Sequence, residues 1–246
     1  MVETRQALII GATSSLAYAL CQELAREKWN LVLCGRDKEE LEKLSSDLAI
    51  RFGVSTSLIV ADFSSAEFSG RAIIEQLPGH IDAAFLVSGD MGNPEAPDSL
   101  ENITDVTYIN YLIPAHLISL LTQSMEQYGK GDIIVISSVA GDRGRQSNYA
   151  YGSAKAALTV FCSGLRNKLT VSSSPVHIMT VKPGFVDTPL TYTLHSPLVA
   201  KRETVAKAII ASMNKRKNTI YVPYFWRFIM MIICLLPENI FKKLKL

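Results

Sequence analysis

Short, mostly apolar runs alternate along the chain with segments whose apolar residues recur every three to four positions. Residues 7–10 (Ala-Leu-Ile-Ile) are such a run and stop at Gly11; from Ser14 apolar residues return at Leu16, Ala19, Leu20 and Leu24, the stripe of a helix. Further strands are predicted at 31–34, 57–61, 81–87, 132–138, 176–181 and 219–222, with helices at about 38–51, 66–76, 101–128, 149–170 and 203–213. Continuous apolar strands separated by helices predict a parallel sheet covered on both faces. The fold class is therefore α/β: a single-domain doubly wound parallel sheet over 1–223, followed by a tail, 224–246, of different composition.

Composition narrows the class without naming a function. The chain has 246 residues, 48% of them hydrophobic, and a formal net charge of +2, which is too near neutral for a nucleic-acid-binding surface. Cys21, Cys34, Cys162 and Cys234 are scattered, with no Cys-x-x-Cys pair or histidine cluster; buried reduced thiols and no metal site are expected. The chain enters its first strand almost at once, leaving no room for a signal peptide, so a cytoplasmic location is expected.

Candidate chemistry lies where strands end. Strand, Gly11 turn and helix follow in the order that aims helix N-terminal amides at a pyrophosphate. The Gly- and Pro-rich stretch 88–100 reads as a loop at the carboxyl end of the fourth strand, the edge where ligands bind in open α/β sheets. Tyr151 and Lys155 are four apart on a predicted helix and so share a face, with Ser138 thirteen residues upstream of the tyrosine. An ammonium beside a phenol is expected to lower the phenol pKa from about 10, making it a proton donor and acceptor near neutral pH. After the second strand, where a carboxylate selects NAD, the chain has Gly35 and then Arg36, whose guanidinium suits a 2′-phosphate; Asp37 is expected to cap the next helix. NADP(H) is thus favoured over NAD(H).

With these pieces in order, the chain resembles the short-chain dehydrogenase/reductase family over roughly 5–223. The landmarks are the turn 11–17 (Gly-Ala-Thr-Ser-Ser-Leu-Ala), Asp62, Asn110, Ser138, Tyr151, Lys155 and 183–188 (Pro-Gly-Phe-Val-Asp-Thr). The resemblance implies a Rossmann-like fold and an oxidoreductase interconverting ketone and alcohol. It makes Tyr151 the general acid for reduction, Ser138 the hydrogen-bonding partner of the substrate oxygen, Lys155 the residue holding the nicotinamide ribose, and Asn110 the support of a water-mediated proton relay. It places Gly11, Thr13, Ser14, Ser15, Leu16, Arg36, Asp62, Tyr151, Lys155, Pro183, Gly184, Val186 and Thr188 on the cofactor, with Asp62 at the adenine and Thr188 at the nicotinamide amide. Two departures stand out. Of the family's Thr-Gly-x-x-x-Gly-x-Gly turn only Gly11 remains, with Ile10, Ser15 and Ala17 at the other positions. Of Asn-Asn-Ala-Gly, here Leu-Val-Ser-Gly (86–89), only Gly89 remains.

The tail sets apart a branch. From Phe225 to Leu236 only Arg227 interrupts apolar residues, a stretch too short to span a bilayer. Beyond it, Ile240, Phe241 and Leu244 fall on one helical face beside Lys242, Lys243 and Lys245. Two readings stay open: an anchor on an anionic membrane surface, or packing in the homodimers or homotetramers in which the family's C-terminal residues commonly lie. With the 11–15 turn, the tail is similar to the branch that includes the decaprenylphosphoryl-2-keto-pentose reductases. That likeness implies a ketone on a lipid-linked or otherwise hydrophobic substrate, with Tyr192, Leu194 and His195 in a substrate loop at 190–200. The alternatives are a soluble 3-ketoacyl reductase or alcohol dehydrogenase, and a non-catalytic NADP(H) sensor or scaffold suggested by the depleted glycine turn.

Overall fold

The computed structural model describes residues 4–65, 68–188 and 196–244. Seven parallel strands, β1 (Gln6–Ile10), β2 (Asn30–Gly35), β3 (Thr56–Val60), β4 (Ala83–Leu86), β5 (Gly131–Ile136), β6 (Val176–Pro183) and β7 (Thr219–Val222), form one sheet in the order β3-β2-β1-β4-β5-β6-β7. The order reverses between β1 and β4, which opens a crevice above the carboxyl ends of those strands. The helices are α1 (Ser15–Arg26), α2 (Lys38–Phe52), α3 (Gly70–Glu75), α4 (Leu100–Thr107), α5 (Ile113–Tyr128), α6 (Tyr149–Val171), α7 (Arg202–Met213), α8 (Trp226–Leu235) and α9 (Glu238–Phe241).

The predicted fold class holds, and the reason is visible in β1. Its alternate residues serve two cores: Ala7 and Ile9 pack with α1, α2 and α7 on one face, and Leu8 and Ile10 with α5 and α6 on the other. Side chains alternate across a strand, so a strand buried on both faces has no polar position. At about 25 cal/mol per Å² of apolar surface removed from water, each such leucine or isoleucine contributes roughly 1.5–3 kcal/mol. As expected, Asp37 caps α2, its carboxylate accepting from the Glu40 amide at 3.1 Å.

Two expectations are corrected. The single helix at 101–128 is instead α4 and α5 joined by a π turn, Tyr108–Leu112. Pro114 has no N–H to give the Asn110 carbonyl one turn back, which accounts for the widened turn there. Cys21, Cys34 and Cys162 are buried, but Cys234 is exposed, because α8 turns only one side toward the protein. The tail folds as two short helices, α8 and α9, with Pro237 between them.

α8 is bound tightly on its inner side. Trp226 and Met230 are buried on Val139, with Phe185, Tyr221, Ile229 and Ile233 around them. Arg143 donates to the carbonyls of Ile233 (2.6 Å) and Leu236 (2.6 Å), pairs with Glu238 (3.1 Å) and stacks 3.8 Å from the Phe241 ring centroid. It thereby satisfies carbonyls that the end of a helix leaves without partners, at the end where a cation is favoured. Among the described residues no helix is long and apolar enough to cross a membrane.

Candidate active site

β5 ends at Ile136, and Ser138 then caps a one-turn 3₁₀ helix, Val139–Gly141, its Oγ accepting from the Ala140 amide at 3.1 Å. Two glycines let this turn press against the first turns of α6. A Cβ on Gly141 would lie 2.7 Å from the Ala156 amide nitrogen, and one on Gly152 would lie 2.8 Å from the Ala140 carbonyl oxygen. Neither position stood out in the sequence, because each depends on a contact across the fold. Ser137 ties the same junction, donating from its Oγ to the Lys155 carbonyl at 3.0 Å. The result is that Ser138, Tyr151 and Lys155 line one wall of the same cavity.

The electrostatics differ from the expected lowering of the tyrosine pKa. Burial pushes the Tyr151 phenol up to about 12, against a smaller lowering by the neighbouring Ser138 hydroxyl. Lys155 is itself buried, and burial lowers its ammonium to about 8. Its Nζ donates to the Ile136 carbonyl at 3.1 Å and lies 5.6 Å from the Tyr151 ring centroid. The lysine is thus aimed at the end of β5, and desolvation dominates both groups. A phenol in this state is a proton donor at neutral pH.

Asn110 lies in the π turn with no exposed surface. Its Nδ2 donates to the carbonyls of Asp90 (2.7 Å) and Val106 (2.8 Å), and its Oδ1 accepts from the Asp90 amide at 3.2 Å. The side chain therefore fastens the loop after β4 to the π turn. Gly89 runs through the gap between Asn110 and Lys155: a Cβ there would lie 3.1 Å from Asn110 Oδ1 and 3.3 Å from Lys155 Nζ. This close approach gives a physical reason for the glycine that remains in Leu-Val-Ser-Gly.

Two adjoining cavities form one cleft along the crevice. The first, of about 480 Å³, is lined by Thr13, Ser14, Ser15, Leu16, Ser138, Tyr151, Lys155, Pro183, Gly184, Val186 and Thr188. The second, of about 270 Å³, is lined by Gly11, Arg36 and Asp62 and shares Thr13, Ser14 and the 87–90 segment with the first. All the residues placed on the cofactor from the sequence therefore border this cleft, and Asn110 stands behind its wall. Val87, Ser88 and Asp90 line both cavities and Ser64 the second; sequence reasoning passed over all four. Residues 189–195, with Tyr192, Leu194 and His195, lie outside the described residues.

The cleft suits a dinucleotide. Gly11 has φ +79°, and a Cβ there would lie 2.9 Å from the Ser88 nitrogen, so the chain passes close under the cleft as no other residue would allow. Ser14 caps α1, accepting from the Ala17 amide at 3.3 Å, and the first turn of that helix borders the same space. Ser88 Oγ is buried with no hydrogen-bond partner among the described residues. At the far end Arg36 is exposed beside Asp62, whose carboxylate accepts from Ser64 N (2.9 Å) and Oγ (2.7 Å) and is held below its ordinary pKa chiefly by those bonds.

A doubly wound parallel sheet with a nucleotide-shaped cleft at its switch point, and Ser138, Tyr151 and Lys155 along one wall, defines a nucleotide-binding oxidoreductase fold. Residues 5–198 match the family model described as short chain dehydrogenase, and the chain belongs to that family. An uncharacterized oxidoreductase of Mycobacterium tuberculosis is 30% identical over 241 residues, covering 96% of both chains. The very-long-chain 3-oxoacyl-CoA reductase of Anas platyrhynchos is 28% identical over 222 residues, covering 87% of this chain and 70% of its own. A short-chain dehydrogenase from Sphingobium yanoikuyae, solved in complex with NADPH, superposes with a TM-score of 0.81 at 21% identity, covering 95% of this chain and 97% of its own. This protein is an oxidoreductase, and its family's fold binds nicotinamide cofactors.

Proposed function

We propose that the protein reduces a ketone to a secondary alcohol with NADPH, and that the ketone is carried on a hydrophobic, lipid-linked molecule. The observation that carries this reading is Ser138 and Tyr151 together on the wall of a cleft that reaches Arg36 at its other end. A bound reduced nicotinamide supplies a hydride to the carbonyl carbon. Tyr151 gives its phenolic proton to the carbonyl oxygen as negative charge grows there, and Ser138 donates a hydrogen bond to the same oxygen. Proton and hydride together make the alcohol and leave the oxidised cofactor. Lys155 holds the ribose and contributes positive charge beside the tyrosine; Asn110 supports proton resupply from solvent by holding the 89–90 backbone in place.

A phenol held protonated at neutral pH favours the reductive direction. Arg36 favours NADPH, since a guanidinium binds a 2′-phosphate through charge-assisted bonds and gains nothing comparable from a hydroxyl. The hydrophobic substrate is supported by the apolar α8, whose Trp226 packs against Gly184 at the cleft. It is also supported by the relative whose name places a ketone on a very long acyl chain.

The test is NADPH consumption with a series of ketones of increasing apolar chain length, followed against pH on the best of them. Reduction is expected to rise with chain length. The second-order rate constant for NADPH, which reports the free enzyme, is expected to fall as pH rises through about 8, where Lys155 loses its charge, while Tyr151 stays protonated. NADPH binding with no turnover on any ketone would contradict the reading and leave a sensor.

A further inference from the structure

α8 is apolar but for Arg227, yet the protein covers only its inner side. On the outer side Phe228 is 51%, Met231 53%, Ile232 60% and Leu235 75% exposed, and Tyr224 (61%) extends the set at the N-terminal end. These residues recur at helical spacing and form one stripe. Exposed apolar residues scattered singly are ordinary; a contiguous stripe marks a surface that binds something. Beyond Pro237, Ile240 and Leu244 are exposed as well.

The charges around the stripe are mostly cations, and Asp142, which lines the groove beside it, is paired with Lys182. Arg227, Lys242 and Lys243 are exposed, and Lys217 joins Arg227 in lining a groove of about 1110 Å³ between α7, β7 and α8. The one acidic residue of the tail, Glu238, is already paired with Arg143 at 3.1 Å.

We propose that this face docks on a bilayer surface containing anionic lipid, with α8 lying in the interfacial plane. A helix of ten residues is about 15 Å long, half the thickness of a hydrocarbon core, so it suits lying in the interface rather than crossing it. Cations around an apolar stripe match anionic headgroups above acyl chains. A second copy of this chain is the rival occupant. A two-fold contact there would set the same cations against one another, with no free acid on the tail to balance them. The inner side of α8 is held by Arg143, five residues after Ser138, and by Trp226 on Gly184, so the membrane would lie beside the cleft. Delivery of the ketone from that membrane rests on the function proposed above; the docking itself does not.

The full-length protein is to be sedimented with vesicles of phosphatidylcholine alone and of phosphatidylcholine mixed with phosphatidylglycerol, beside Phe228→Asp combined with Ile232→Asp. Both side chains are exposed, and an unchanged melting temperature verifies that the double variant is folded. The wild type is expected to sediment with the mixed vesicles, less so in high salt, and the double variant to bind at least about tenfold more weakly. Wild type that fails to bind the mixed vesicles overturns the proposal. If the double variant then also converts a dimer to monomer by analytical ultracentrifugation, the face belongs to a second copy. Reduction of a water-soluble ketone by NADPH is measured on the same samples. Vesicle binding without reduction would sink the proposed function and leave the docking standing; reduction without vesicle binding would do the reverse.

Discussion

Replacing Tyr151 with phenylalanine is expected to lower NADPH-dependent ketone reduction by about a hundred- to ten-thousand-fold, the range that a positioned general acid contributes. The variant keeps the ring and loses only the hydroxyl, so the Lys155 contact with the ring face survives and NADPH affinity should change little. Cofactor fluorescence titration beside steady-state rates separates the two effects. Ser138 Oγ accepts from the Ala140 amide and not from the phenol, so the 3₁₀ turn should hold. Rates within a few-fold of wild type would mean that another group supplies the proton.

Replacing Arg36 carries the second large effect, on cofactor choice. A hydrogen bond to a charged group contributes about 1.5–3 kcal/mol, so Arg36→Ala is expected to weaken NADPH by roughly ten- to a hundredfold and leave NADH nearly unchanged. Arg36→Asp should go further and reverse the preference, because a carboxylate accepts from a ribose hydroxyl and repels a phosphate. Arg36 is exposed and follows the last residue of β2, so neither substitution disturbs the core. Equal weakening of both cofactors would remove Arg36 from the 2′ position.

Much of the fold was legible because β1, β2 and β4 are buried on both faces and therefore leave short apolar runs with no polar interruption. The edge strand β3, with Ser57 exposed between partly buried residues, was placed one residue late for the opposite reason. The π turn was harder, since Asn110 takes its partners from Asp90, twenty residues away. Pro114 was the local signal that the helix would not run straight through. In the site, residue types and spacings located the cleft, but they did not report burial. A tyrosine and a lysine four apart on a helix suggested mutual charge stabilisation; the interior instead desolvates both and turns the lysine to the Ile136 carbonyl. Nothing in the sequence around Arg143 marks its role, because the return of the tail is what makes it the cap of α8.

Opening on the glycine-poor turn, a sequence reader could doubt that the cleft binds a nucleotide. The geometry answers part of that doubt. Gly11 is the one position of the turn with a positive φ and a backbone neighbour too close for a Cβ, and it is the one glycine retained. Ala17 is fully buried at the helix–sheet contact, where a small side chain fits. Ser15 begins α1 and lines the cleft beside Ser14.

The central claim is that hydride moves from NADPH to a ketone carbon while Tyr151 supplies the proton. Turnover with NADPH deuterated at the transferable position, followed by mass spectrometry of the product, tests it most directly. The wild type is expected to give a secondary alcohol carrying one deuterium on its carbinol carbon, and Tyr151→Phe almost none of that product. Alcohol formed without deuterium at that carbon, or formed equally well by the variant, would contradict it.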